Sequence, residues 1–460
     1  MGKSTGHDRQ PPDVRALQAA EAMQTRGERR SGAEAISCFE QAVALFQEAA
    51  SGQLSADQLL TAQLGLAESL QQWADAKMEA ARQLPDESLT PSVELEARLL
   101  ATSLYERAVA AYHQVSPGAA AGLPAEAAVN CGNTLCSWAE ALVPQPGEVG
   151  VHRRQCGLYE QAVELYQAAL AQEADALTLA NMGDALMQWA EASWQAEGGN
   201  AGAQLCQQAL QCYDNACQMC DSSEGDDLAG LLCNWGSGLA TAAQYQDPQS
   251  AEELLQQAVL RLSQAVEFGR GDPEPLVALG DALAALAALL LAPEAPGTGL
   301  QLGHSSPLPH SGGVGGGSGS DGSGCSPRLL QGQALLQRAL AEGYGPALHL
   351  HRSHPQALVG SAEVQVLLAR QADTHAAAAH HWQSAVQGFR TALAAPQLLG
   401  SFQDRCDVRY NLACALAQAG HTAEAAGLIK QLMACGGVES AAVAADTDLS
   451  GVAAELQLAQ

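Results

Sequence analysis

Eight helix-length stretches of this chain carry one spacing: a small residue, a bulky apolar residue four positions on, and another apolar residue, usually Ala, three further. The sets are Ala35/Phe39/Ala42, Ala101/Tyr105/Ala108, Ala162/Tyr166/Ala169 and Ala209/Tyr213/Ala216, then Ala258/Leu262/Ala265, Gly332/Leu336/Ala339, Ala385/Phe389/Ala392 and Ala425/Ile429/Leu432. Steps of four and three hold all three residues on one helical face, where the small ones let a second helix approach closely. A recurring supersecondary unit predicts a stacked array, in which each unit completes its core only against its neighbours. Such an array is expected to offer a surface for partners rather than a catalytic centre.

A second helical stretch precedes each of these. Five of them align over 59–77, 127–143, 178–194, 230–245 and 276–291, with Ala67, Gly132, Gly183, Gly236 and Gly280 in one column. Three positions later stand Leu70, Leu135, Leu186, Leu239 and Leu283, and three further Trp73, Trp138, Trp189, Ala242 and Leu286. The words Trp-Ala-Asp-Ala at 73–76 and Trp-Ala-Glu-Ala at 138–141 and 189–192 are internal repetition. A mid-helix Gly costs about 1 kcal/mol against Ala, so Gly in register implies a packing demand that offsets it.

The last unit is the most regular: 407–420 with Leu412, Ala413, Leu416 and Gly420, then 422–436 with Ala425, Ile429 and Leu432. Here the chain resembles the tetratricopeptide repeat (TPR) superfamily, which pairs a W-x2-L-G-x2-Y helix with an A-x3-F-x2-A helix. The resemblance spans nearly the whole chain, with degenerate motifs and with second helices starting 40 to 74 residues apart. It implies an all-α, right-handed superhelical solenoid of about eight helix pairs. The extra residues fall at 85–91, 144–154 and 293–327, and 345–355 interrupts the unit after the insertion. The expected organisation is a flexible tail over 1–12, an array over 13–292, a disordered Gly/Ser/Pro-rich insertion over 293–327, further repeats over 328–436, and a cap over 437–460 ending in Asp446-Thr-Asp448-Leu449.

Apolar residues make up 47% of the chain but aromatics only 4%, so Ala and Leu must build the interior. Fifty acidic against 22 basic residues leave a formal charge of −28. That field repels nucleic acid and anionic lipid and favours neutral or basic partners. Thirteen cysteines and a polar amino terminus point to a reducing compartment, the cytoplasm, with the nucleus left open. The apolar run 276–292 is short for a bilayer and contains Asp281, so it is expected to be a core helix and not a membrane insertion.

Counting from the aligned Gly, Asn130, Asn181, Asn234 and Asn411 share one column of the first helices, and Asn133 and Asp184 share another with Glu68 and Asp281. By the resemblance these columns line the concave surface. A carboxamide has two donors and an acceptor, so stacked Asn residues can clamp an extended backbone in both directions, as in the asparagine ladders of O-GlcNAc transferase and kinesin light chain repeats. Local capping or solvation by the same Asn residues is the alternative. Asn130, Asn133, Asn181, Asp184, Asn234 and Asn411 are therefore the candidate peptide-binding residues. Repeats that hold the acidic tails of Hsp70 and Hsp90 need cations where this chain has Val129, Gly230 and Asn234, so a chaperone C-terminal tail is not the expected ligand.

No cofactor or metal is expected. Cys206, Cys212, Cys217 and Cys220 lie on one predicted helix and cannot close around one ion. His349, His351, His354, His375, His380 and His381 lack metal-ligand spacing, and the Gly tract at 313–322 lacks the Lys-Ser/Thr of a phosphate loop. The expectation is a non-catalytic scaffold or adaptor gripping an extended neutral or basic segment; a structural subunit of a larger assembly, of organelle-biogenesis or ciliary type, is the alternative.

Overall fold

The computed structural model describes residues 11–85, 88–115, 122–142, 149–197, 200–220, 225–292 and 327–458. The expected tail over 1–12 and insertion over 293–327 lie almost wholly outside these residues. The described chain is all-α, with no strand among the described residues. Two compact units divide it: residues 1–84 with 92–212, and residues 85–91 with 213–460.

The N-terminal unit holds α1 (Pro12–Glu28), α2 (Gly32–Ala50), α3 (Ala56–Arg82), α4 (Pro91–Val115), α5 (Ala125–Ala141), α6 (Val149–Leu170), α7 (Ala176–Glu197) and the first part of α8 (Asn200–Met219). The C-terminal unit continues with α9 (Gly225–Ala243), α10 (Pro248–Phe268), α11 (Glu274–Leu291), α12 (Pro327–Arg338), α13 (Gly345–Leu350), α14 (Pro355–Arg370), α15 (His375–Leu393), α16 (Phe402–Gln418), α17 (Thr422–Ala434), α18 (Ser440–Ala445) and α19 (Ser450–Glu455). Within each unit consecutive helices pack as antiparallel hairpins, for example α1 on α2, α5 on α6, α14 on α15 and α16 on α17. Alternate helices also touch, so α1, α3, α5 and α7 stand side by side, as do α9, α11, α14 and α16. Each unit is thus a stack of helical hairpins.

Every residue of the eight small–bulky–small sets is buried. Removing one large apolar side chain from water contributes about 1.5–3 kcal/mol, and the small residues between them set how closely the backbones meet. The glycines show it directly. A Cβ on Gly132 would lie 2.7 Å from the Tyr166 ring, and one on Gly236 would lie 2.5 Å from Leu262. Helix ends are fixed locally: Ser55 and Ser401 form capping boxes with Gln58 and Asp404, and Gly420 closes α16 in the left-handed region at φ +87°.

α11 is the one helix among the described residues long and apolar enough to cross a membrane, and 67% of it is buried inside the fold. Its neighbours α9, α10, α12 and α14 surround it, which is why it carries apolar residues all round. At the C-terminal end, Val443, Leu449 and Val452 enter the core formed by α14 to α17, completing the last repeat.

Three expectations are corrected. Residues 149–154, read as loop, are the first turns of α6. Residues 345–355 do not interrupt their unit at 345, because α12 runs on through a π-helical turn, Ala339–Tyr344, into α13. That turn aims Tyr344 inward, where a Cβ on Gly280 or Gly360 would lie 2.8 or 2.5 Å from its ring. Finally, the alignment of Ala67 with Gly132 is seven residues early. Ala74 and Asp75 stand to Tyr105 as Gly132 and Asn133 stand to Tyr166, since Tyr105 bonds Asp75 and Tyr166 bonds Asn133. A 27-residue helix accommodates more than one seven-residue register, so spacing alone chose wrongly.

Candidate functional site

The first helices of the N-terminal unit are bridged by side-chain hydrogen bonds that run from one to the next. Glu68 on α3 accepts from Gln24 of α1 at 3.2 Å and from Asn130 Nδ2 of α5 at 3.2 Å. Thr134 Oγ1 donates to Gln71 Oε1 at 2.7 Å. Between α5 and α7, Asn181 Nδ2 donates to Asn133 Oδ1 across a long 3.4 Å, and two turns on Gln188 Nε2 donates to Glu140 Oε1 at 2.8 Å. Amides and carboxylates thus cross-link neighbouring repeats along one face.

Asn130, Asn133, Asn181 and Asp184 are all half-buried on adjacent helices, so the structure brings these four together. Their roles differ. Asn133 Oδ1 also accepts from the buried Tyr166 hydroxyl at 2.7 Å, which commits it to the helix pair behind it. Burial pushes the Tyr166 pKa up, so its hydroxyl stays a donor; burial likewise pushes the adjacent Cys136 thiol up to about 12. Asn130 and Asn181 each give one amide hydrogen to a neighbouring helix.

Asn234 and Asn411 belong to the C-terminal unit. Asn234 is exposed on α9. Asn411 is buried, 4% exposed, and donates to Glu363 Oε1 of α14 at 3.2 Å. Burial, reinforced by Asp281, pushes the Glu363 carboxyl up to about 8, while the Asn411 bond opposes the shift. Nearby Asp407 is raised to about 6, again by burial first.

The remaining candidates have structural positions. Trp138 and Trp235 are buried beneath Arg154 and Arg261, whose guanidinium carbons lie 5.3 and 3.8 Å from the ring centroids; Trp73 and Trp189 are half-buried. His354 is buried, caps α14 by accepting from Ala357 N at 3.4 Å, and places Nε2 3.2 Å from Glu274 Oε1. Cys206, Cys212 and Cys217 lie on α8 and Cys220 directly after it. Among the described residues no group of three or more His, Cys, Asp or Glu is arranged to hold a metal ion.

A polar pocket of about 280 Å3 opens beside these rungs, between α5, α6 and α7. Its walls include Glu140, Tyr159, Gln188 and Glu191. The Trp-Ala-Glu-Ala words contain Glu140 and Glu191, so their signal was present in the sequence, where it reads only as repetition. Tyr159 had no such signal, because its place on α6 emerges only when three helices converge.

No family model matches the chain, and no curated protein sequence does. Among solved structures it is similar to the S. pombe nuclear import adaptor Nro1, with 10% identity over 73% of this chain and 95% of that one and a TM-score of 0.38. It is also similar to a Rap protein complexed with competence and sporulation factor, with 12% identity over 92% and 98% and a TM-score of 0.37. A human IFIT1 dimer with m7Gppp-AAAA aligns at 12% identity over 94% and 92%, with a TM-score of 0.31. Likenesses this loose carry nothing about ligand or role.

Proposed function

We propose that this chain is a non-catalytic interaction scaffold that binds an extended, neutral or basic protein segment along the α3–α5–α7 face. The observation that carries this reading is the cross-helix row of Glu68, Asn130, Asn133 and Asn181. Lateral bonds preorganise the carboxamides, so a ligand backbone meets donors and acceptors already in place, each bond contributing about 0.5–1.5 kcal/mol net. Asp184 on the same face and the overall charge of −28 disfavour an acidic ligand.

The test is an array of immobilised twelve-residue peptides of graded charge, probed with the natural chain and with Asn130→Ala and Asn181→Ala combined. Circular dichroism first establishes that the variant is folded. Binding to neutral and basic peptides that falls several-fold in the variant supports the groove; unchanged binding rejects it. A second reading, a subunit held permanently in an assembly, draws on the exposed Leu95, Leu99 and Leu100 of α4. Light scattering on the isolated chain separates the two: a monodisperse monomer favours the scaffold, and self-association reversed by Leu99→Glu favours the subunit.

A further inference from the structure

The wall of the pocket between α5, α6 and α7 carries two carboxylates, and each of its three glutamine amides spends a donor within the fold. Gln188 Nε2 turns toward Glu140 Oε1 at 2.8 Å, and Gln195 Nε2 turns toward Glu191 Oε1 at 3.4 Å. Both amides thereby spend a donor on a carboxylate. Glu140 Oε2 accepts from no described residue. Gln155, a fifth wall residue, is locked in place by its bond from Nε2 to the Ala139 carbonyl at 3.0 Å and by His152 at 3.0 Å.

Tyr159 supplies an independent observation. The residue is only 4% exposed, lines the pocket, and has no hydrogen-bond partner among the described residues. Its ring is packed inside the fold, and its hydroxyl is the part that opens to the pocket. Burial first, then the charges of Glu140, Cys136 and Glu191, push its pKa up. The hydroxyl therefore stays protonated in a pocket it shares with both carboxylates.

We propose that this pocket receives the guanidinium of an arginine side chain from the bound segment. Arginine has five N–H donors in a plane and no acceptor, and it suits a site lined by the carboxylates of Glu140 and Glu191 with glutamine amides and a tyrosine hydroxyl beside them. The volume of about 280 Å3 suits one long side chain and not a folded domain. The pocket also lies two helical turns along from the Asn133–Asn181 rung, on the same two helices. A backbone held at the rung can place a side chain there. The inference rests on the groove reading above and gives it side-chain specificity.

The test is fluorescence anisotropy at physiological salt with a labelled nine-residue Gly/Ser/Ala peptide containing one central arginine, beside the same peptide with citrulline there. Citrulline keeps the shape and loses the charge. The full chain should bind the arginine peptide about tenfold more tightly, and both Glu140→Gln and Tyr159→Phe should shrink that ratio severalfold. Equal binding of the two peptides by the natural chain, no binding of either, or an unchanged ratio in folded Glu140→Gln overturns the proposal. Asn130→Ala with Asn181→Ala separates the two readings. If both peptides weaken in parallel, groove and pocket both stand. If affinity holds in the Asn variant while Glu140→Gln still erases the ratio, the groove reading falls and the pocket stands.

Discussion

Tyr166 donates its hydroxyl hydrogen to Asn133 Oδ1 at 2.7 Å while its ring covers Gly132, the residue just before Asn133. Tyr344 repeats the relation with Asp281, at 2.5 Å, and Gly280. A small residue followed by Asn or Asp on the first helix is thus a socket: the missing side chain admits the ring, and the polar neighbour receives the hydroxyl. The socket also explains why Asn133, which shares its column with Asp281, faces its own helix pair as well as the next repeat.

The socket predicts opposite outcomes for two glycines on the same hairpin. Gly132→Ala sets a methyl 2.7 Å from the Tyr166 ring and should destabilise the protein by about 1–3 kcal/mol. Gly157→Ala, within α6 and with nothing within 4 Å of the added carbon, should stabilise it by about 0.5–1 kcal/mol. Urea unfolding followed by circular dichroism measures both; equal shifts in one direction would show that the socket is not tight.

Tyr166→Phe keeps the ring and removes the hydroxyl. Asn133 then loses its shorter bond, and stability should fall by about 0.5–1.5 kcal/mol. The double variant with Asn133→Ala should cost less than the sum of the two single changes, because both remove the same bond. Strict additivity in the thermal unfolding data would refute the link.

Glu363 predicts a pH dependence. Its carboxyl is raised to about 8 in the fold, against an ordinary value of about 4.3. Between those values the folded chain holds a proton that the unfolded chain has released, so stability falls as pH rises through that window. The contribution is full below the unfolded value and gone above about 8. Glu363→Gln keeps an acceptor for Asn411 and carries no charge. Its melting temperature should match the natural chain at pH 5 and exceed it by several degrees at pH 9; parallel curves across that range would show that Glu363 titrates normally.

Ser401 and Asp404 form a reciprocal cap at the start of α16, with Asp404 N donating to Ser401 Oγ at 3.1 Å and Ser401 N to Asp404 Oδ2 at 2.8 Å. Ser401→Ala should cost about 1 kcal/mol. Amide hydrogen exchange should speed up in the first turn of α16 and leave α17 unaffected, whereas exchange rising across both helices would mean that the cap supports the whole hairpin.

The periodicity of the chain was enough to establish its helices and their buried faces. Steps of four and three are a property of one helix, so Ala162, Tyr166 and Ala169 declare a face without reference to anything distant. The demand for glycine at 132, 236 and 280 was legible for the same reason: only a close partner repays a mid-helix Gly. What tertiary structure decided was which side chains meet across helices. Ala67 and Ala74 are equivalent by spacing on a long helix, and only the Tyr105 bond to Asp75 selects the register. Asn130 and Asn411 occupy one sequence column, yet the first is half-buried and bonds Glu68 while the second is buried against Glu363. Tyr159 and Glu191 stand on different helices with no shared pattern, and they line one pocket because α5, α6 and α7 converge there. Helix faces follow from local chemistry, but distances between helices depend on the packing of every residue around them, and no single segment contains that information.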